Sequence, residues 1–292
     1  MTVQTPAGIH GFVHQLGPVL TTAVMFSTAD ICGKVALTSG ADVPSMLTFR
    51  SIIGIGLVYA WLQLSKPVAL PRGAKWISIG LGVMLTANMF LLFKAIELVP
   101  VSIAILTYFV YPLLTGILGA MTGIDRLTTT GVATALAAFF GLALIISANP
   151  ADLAIAGLAA ALGGALCRAT MLLITRASLK GADARVVTWH TMWSSTLGFI
   201  ALSLAAWSWH WPHGVAGWTA FIGIAFAVPV GVFALYVSTE RIGPFRTALF
   251  MNLEPLMTSA LSAILLRESL TPVQMLGGVT MIAALCIFQM RR

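Results

Sequence analysis

Charge is what this chain has least of. Only 9% of its 292 residues are charged, sixteen Lys and Arg against nine Asp and Glu, while 59% are hydrophobic. A soluble domain carries about 25% charged residues. There is too little charge here to cover a water-facing surface, and the mean hydropathy of +0.96 agrees. A soluble enzyme, a nucleic-acid binder and a disordered tail are excluded at this step. Cysteine is scarce too. Cys32, Cys167 and Cys286 each sit in an apolar run without a CxxC spacing, which argues against a disulfide frame or a zinc site. HExxH, GxSxG and GxxxxGK[ST] do not occur, which argues against zinc hydrolysis, a serine nucleophile and direct use of ATP.

What is present is a series of long apolar runs. A spanning helix needs about 20 apolar residues, and ten such runs are found at 14–37, 44–64, 75–97, 100–121, 128–148, 155–176, 186–208, 217–239, 244–265 and 272–290. Their length and their Leu, Ala, Gly and Ile content point to helices, because a barrel shows segments of about ten residues with alternating polarity. The expected fold is an all-α integral membrane protein of ten spans. The N-terminal stretch lacks a basic region and a cleavage site, and is read as leading into an uncleaved first span. With both termini cytoplasmic, eleven basic residues fall inside (Lys66, Arg72, Lys75, Arg126, Arg176, Lys180, Arg185, Arg241, Arg246, Arg291 and Arg292). Only Lys34, Lys94 and Arg267 fall outside. The basic excess is thus an orientation signal. Trp207, Trp209 and Trp211 then form an outer interfacial belt. His210 and His213 lie among them without a carboxylate or thiol, so no metal is expected.

The chain repeats itself at a separation of about 143 residues. YPLLTGILGAMTGIDRLT (Tyr111–Thr128) aligns without gaps with EPLMTSALSAILLRESLT (Glu254–Thr271). FLLFKAIE (Phe90–Glu97) aligns with FALYVSTE (Phe233–Glu240), and one extra residue then pairs Pro100 with Pro244. The halves are 14–148 and 155–290, each of five spans. An odd number of spans inverts the second half relative to the first, an arrangement typical of secondary transporters with a site near the bilayer midplane.

Polar groups within spans mark that site, because a charge at mid-bilayer costs about 2.5–3.5 kcal/mol on insertion scales. Tyr108, Tyr111 and Thr115 share a face of the fourth span, and the repeat pairs them with Met251, Glu254 and Thr258 in the ninth. Pro112 and Pro255 beside them leave a carbonyl unpaired one turn earlier, so both helices are expected to kink. Glu254 is the only acid near mid-span, a candidate for holding a substrate ammonium or a proton, or for pairing with Arg168 or Arg50. Asn88 and Tyr236 are further cavity candidates. Asp30 and Lys34, four apart on one helix face, are expected to pair and to serve in structure or gating. Arg50, Arg168 and His190 complete the candidates for coupling or gating.

These motifs resemble the drug/metabolite transporter superfamily, EamA-type branch. Its repeats end in a pattern like P-x-x-x-x, a hydrophobic run and G-E-x-L-T. Pro112 to Gly123-Ile124-Asp125-Arg126-Leu127-Thr128 and Pro255 to Arg267-Glu268-Ser269-Leu270-Thr271 follow it, with Ile124-Asp125 departing where Glu is usual. Phe26-Ser27 to Lys34 and Phe49-Arg50 resemble the opening of the family's first repeat. The chain looks most like the YddG-type amino acid exporters. The resemblance implies a secondary transporter in a bacterial inner membrane, exporting small amphipathic metabolites, with amino acids including aromatic ones the best match. It implies no cofactor and no nucleic acid, only a small-molecule substrate and the bilayer, with a proton as candidate coupling ion and no oligomeric state assigned. Another metabolite class, such as a drug or nucleotide sugar, stays open. So do a channel and an intramembrane enzyme, which saturable counterflow separates from a carrier.

Overall fold

The structure, a computed structural model, describes residues 9–125, 127–146, 154–206, 209–265 and 271–290. Every regular element among them is a helix. The first half holds α1 (Ile9–Thr38), α2 (Val43–Leu64), α3 (Arg72–Leu98), α4 (Val101–Tyr108), α5 (Tyr111–Thr122) and α6 (Thr129–Ile146). The second holds α7 (Ile155–Ser178), α8 (Ala184–Ala206), α9 (Gly214–Ile242), α10 (Pro244–Phe250), α11 (Leu253–Leu265) and α12 (Pro272–Met290). The fourth and ninth apolar runs are therefore each divided by a two-residue turn.

Eight helical stretches among the described residues are long and apolar enough to cross a membrane, counting 103–122 and 244–265 as continuous. Thr129–Ile145 is apolar but shorter. Ala184–Ala206 is long but lies outside the eight. It turns Thr188, Thr191, Ser194, Ser195, Thr196 and Ser203 into the bundle, which lowers its hydropathy without exposing polar groups to lipid. Many hydroxyls on these helices are satisfied within their own turn, as where Thr115 donates to the Tyr111 carbonyl at 2.7 Å and Thr239 to that of Leu235 at 2.8 Å. This local bonding is how an apolar environment accepts them.

The outside of the bundle is as apolar as its inside. Ile52, Tyr59, Trp76, Val83, Phe140, Leu197, Phe226 and Val279 are all exposed. Small residues fill many helix crossings. A Cβ on Gly82 in α3 would lie 1.8 Å from Ser194 Oγ and 2.3 Å from the Thr191 carbonyl of α8. At the α6–α12 crossing, Gly141 and Gly277 meet backbone to backbone, each blocking a Cβ on the other. Close backbone approach replaces the hydrophobic drive that helices lack inside lipid.

The packing follows an exchange of halves. α1 packs on α9, and its counterpart α7 packs on α3; α2 on α9 is matched by α8 on α3, and α1 on α11 by α7 on α4 and α5. α2 with α8, and α6 with α12, are pairs between counterparts. Short connections place the Ser39–Asp42 turn, here the Gly40 end, opposite the Leu179–Asp183 turn, the Gly181 end. The two turns clasp the other half alike. Asp42 accepts from the Ser45 N–H at the start of α2 and meets His210 Nδ1 at 3.1 Å. Asp183 meets Arg185 Nη2 at 2.6 Å and accepts from the Val68 N–H at 3.1 Å.

Candidate substrate site

The two helix breaks are built alike. Proline has no N–H to give the carbonyl four residues back, and its ring crowds that carbonyl. In the first half, α4 ends at Tyr108, Phe109 and Val110 form a turn, and α5 begins at Tyr111 with Pro112 in its first positions. In the second, Met251 and Asn252 form the turn between α10 and α11, just before Glu254 and Pro255. Asn252 sits 2% exposed in this break, and its Nδ2 donates to the Leu249 carbonyl at 2.9 Å. Its Oδ1 is buried without a hydrogen-bond partner among the described residues. The backbone stays near helical dihedrals through both turns, Val110 at φ −68°, ψ −15° and Met251 at φ −66°, ψ −13°.

Beside the second break lies a cluster of charged residues. Glu254 occupies the first turn of α11, where a carboxylate suits the helix dipole. One turn on, the Thr258 hydroxyl donates to Asp30 Oδ2 of α1 at 2.9 Å. Asp30 and Arg50 attract each other electrostatically, as do Glu254 and Arg168, while Asp30 and Glu254 repel. Asp30 is exposed and Arg50 and Glu254 are half-buried, so all three keep accessible surface. Asp30 lies toward the C-terminal end of α1, Arg50 toward the start of α2 and Thr258 past the middle of the ninth run. The cluster therefore belongs to the Gly40 half of the bundle.

Arg168 is a floor to it. The guanidinium is buried, with its carbon 5.6 Å from the Phe26 ring and 5.9 Å from the Tyr111 ring. Aromatic faces support a cation at such distances. Below it, toward the Gly181 end, a cavity of only about 20 Å³ is lined by Arg168, Thr175, Tyr236 and apolar neighbours. That is room for a single water.

The remaining expected residues fall in several places. Asn88 is fully buried, giving its Nδ2–H to the Gly164 carbonyl at 2.7 Å and accepting from the Tyr108 hydroxyl at 3.4 Å. It ties α3, α4 and α7 together. Tyr236 donates to Thr191 Oγ1 at 2.9 Å, and Thr191 donates in turn to the Ser78 carbonyl at 3.1 Å. Met251 is 0% exposed in the break itself. His190, near the start of α8 at the Gly181 end, accepts from Trp193 Nε1 at 3.1 Å. Lys34 is exposed near the Gly40 end. Asp30 turns to Thr258 and Arg50, not to Lys34 four residues on, because α11 packs against that face of α1. Trp207, Arg267 and Glu268 lie outside the described residues. Trp211 stacks on Trp218 at 6.2 Å and meets Phe49 edge-on, so it packs over α2 and α9.

The two ends of the bundle differ. At the Gly181 end all of α10 is buried, as are Tyr111, Pro112, Thr115, Gly116 and Gly119 of α5. Within the described part of α11 only Ser262 is buried. Asp125, which follows α5, accepts from the Phe245 N–H of α10 at 3.1 Å and so ties the two inner half-helices together. Arg176 reaches the Glu240 carbonyl, and Glu240 accepts from the Gly181 N–H at 2.9 Å. Outside the spans, the Arg185 hydrogen bonds hold the Asp183 carboxyl below its ordinary value of 3.8. Sequence reasoning missed Asn252, which had no charge to betray it, and Asp125, whose role depends on the other half of the chain.

The model of the EamA-like transporter family matches residues 17–147 and 155–290. The threonine/homoserine exporter RhtA of Escherichia coli K12 is 29% identical over 248 residues, 82% of this chain and 77% of the relative; that of Escherichia coli O157:H7 matches equally. A solved crystal structure superposes with a TM-score of 0.78 at 18% identity, covering 96% of this chain and 99% of the other, a likeness of fold.

Proposed function

Because the chain belongs to the EamA-like transporter family, whose match spans both halves, we propose that it exports amino acids across a bacterial inner membrane by alternating access. In this reading ten spans form two inverted five-helix repeats with both termini and the Gly181 end in the cytoplasm. The basic residues at that end and the exchange-related helix packing support it. The structure then corresponds to an outward-open, inward-closed state.

The single observation that carries the substrate class is this cluster of opposite charges inside the spans. In a chain this poor in charge, Asp30 and Glu254 lie within electrostatic reach of each other, with Arg50 acting on Asp30 and Arg168 on Glu254. Two anions and two cations suit a zwitterion, with the ammonium between Asp30 and Glu254 and the carboxylate against Arg168. Phe26 and Tyr111 flank the side chain. A relative that bears the name of a threonine/homoserine exporter agrees with this choice. When the ammonium leaves, a proton from outside takes its place between the two carboxylates, which couples export to the proton gradient. The family and its relatives are transporters, so no catalytic step is assigned.

Counterflow in proteoliposomes tests the reading, with labelled L-threonine, L-homoserine and L-phenylalanine, with and without a pH gradient. Saturable exchange of at least one is expected, blocked by the unlabelled amino acid but not by its N-acetyl derivative or its methyl ester. Equal competition by both derivatives would remove the zwitterion site.

A further inference from the structure

Three arginines lie at depth in the bundle, and their surroundings differ. Arg50 has Asp30 beside it, and Arg168 has Glu254 and two aromatic faces. Arg246, in the short helix α10, is 8% exposed. Its Nη2 donates to Gln289 Oε1 of α12 at 2.7 Å, and its guanidinium carbon lies 5.7 Å from the Phe288 ring. Its Nε and Nη1 are buried with no hydrogen-bond partner among the described residues. Three of its five N–H bonds therefore meet no acceptor there.

Buried charged donors without acceptors are costly, and removing water from them is what costs. The cost is specific to a state in which α10 is packed shut. On the reading above α10 is the cytoplasmic half of the ninth span; all of it is buried here, and opening that end would bring water to it. The first repeat has no equivalent cation. With Pro100 opposite Pro244, Ser102 stands opposite Arg246. A guanidinium thus waits on one side of the membrane only, and it is the side from which an exporter loads.

We propose that Arg246 is a loading subsite for the substrate carboxylate, occupied when the cytoplasmic end is open and emptied when it closes. The proposal rests on the amino acid reading above. Guanidinium suits a carboxylate because its N–H bonds match two acceptor oxygens in one plane. Gln289 and Phe288 hold the group in place, and Nε and Nη1 supply the free bonds. Closure strips the carboxylate from Arg246, and Arg168 receives it.

Proteoliposomes of defined orientation test this with Arg246→Gln and the charge-keeping Arg246→Lys, using whichever amino acid the wild type carries. In Arg246→Gln the half-saturating concentration at the cytoplasmic face is expected to rise about tenfold, with less than a twofold change at the outer face. Arg246→Lys falls between. Equal change at both faces, or none, would overturn the subsite, as would a wild-type value set by the phosphatidylglycerol content of the vesicles, which points to a lipid headgroup. If the wild type carries no amino acid, the export reading fails and the subsite is decided separately. Sodium acetate must then raise the melting temperature of the wild type above that in sodium chloride and not raise that of Arg246→Gln. The absence of this difference overturns the subsite.

Discussion

Glu254 and Asp30 owe their importance to the scarcity of charge around them, and each was legible to a different degree. Glu254 stood out because it is the one acid near mid-span. Asp30 did not, because the rule that pairs residues four apart presumes a helix surface facing water. In a packed bundle the neighbouring helix decides, and α11 brings Thr258 to Asp30 at 2.9 Å. Losing one charge-assisted hydrogen bond costs about 1.5–3 kcal/mol, or about 10–100-fold in affinity. Glu254→Gln is therefore expected to raise half-saturation by that factor and to flatten its dependence on pH, read by counterflow between pH 5.5 and 8, with membrane levels unchanged. Wild-type behaviour across that range would exclude Glu254 from binding and coupling. Asp183 makes a different prediction. Its carboxyl is held below 3.8 by Arg185 in the folded protein. That stabilisation is complete above the unfolded value and is lost as pH falls through the lower folded one. Asp183→Asn should lower the melting temperature by about 2–4 °C at pH 7, and the gap should close only below pH 4.

Helices were the most legible elements, and their breaks the least. The apolar runs anticipated the helix ends to within a few residues, since length and hydropathy dominate in a membrane. Pro112 and Pro255 pointed to a disturbance one turn earlier, and the regular helix is interrupted before each of them, at Phe109–Val110 and Met251–Asn252. The lost donor and the crowded carbonyl both act on the preceding turn. The α3–α8 crossing was not legible at all, because nothing in a sequence says which glycine faces another backbone. Gly82 does, and Gly80 two residues earlier faces open space. Gly80→Ala should leave the melting temperature in detergent unchanged or slightly raised. Gly82→Ala must push α3 from the backbone of α8, and should lower it by more than 5 °C or prevent accumulation of folded protein. Equal behaviour of the two variants would contradict the crossing.

At the scale of the whole molecule, a separation of 143 residues in sequence becomes a pairing of helices that survives exchange of the halves. What the alignment cannot carry is state, because a symmetric sequence allows either end to be closed. Here the Gly181 end is closed, and Asp125 is the visible tie, bonding the Phe245 N–H at the start of α10. The repeat alignment sets Glu268 opposite Asp125, so the carboxylates near the ends of the two repeated motifs correspond. Removing a side chain that caps a helix start costs about 1 kcal/mol, which shifts a two-state balance about fivefold. Asp125→Ala should therefore favour the inward-open state. With Cys32, Cys167 and Cys286 replaced, Thr175→Cys beside the small lower cavity reports that state, and Thr258→Cys reports the outward-open one. Asp125→Ala is expected to raise labelling of position 175 by a membrane-impermeant maleimide at the Gly181 end about fivefold. It should lower labelling of position 258 from outside. A rise at both positions would mean general loosening rather than a shift between states, and no change at either would leave Asp125 outside the closure.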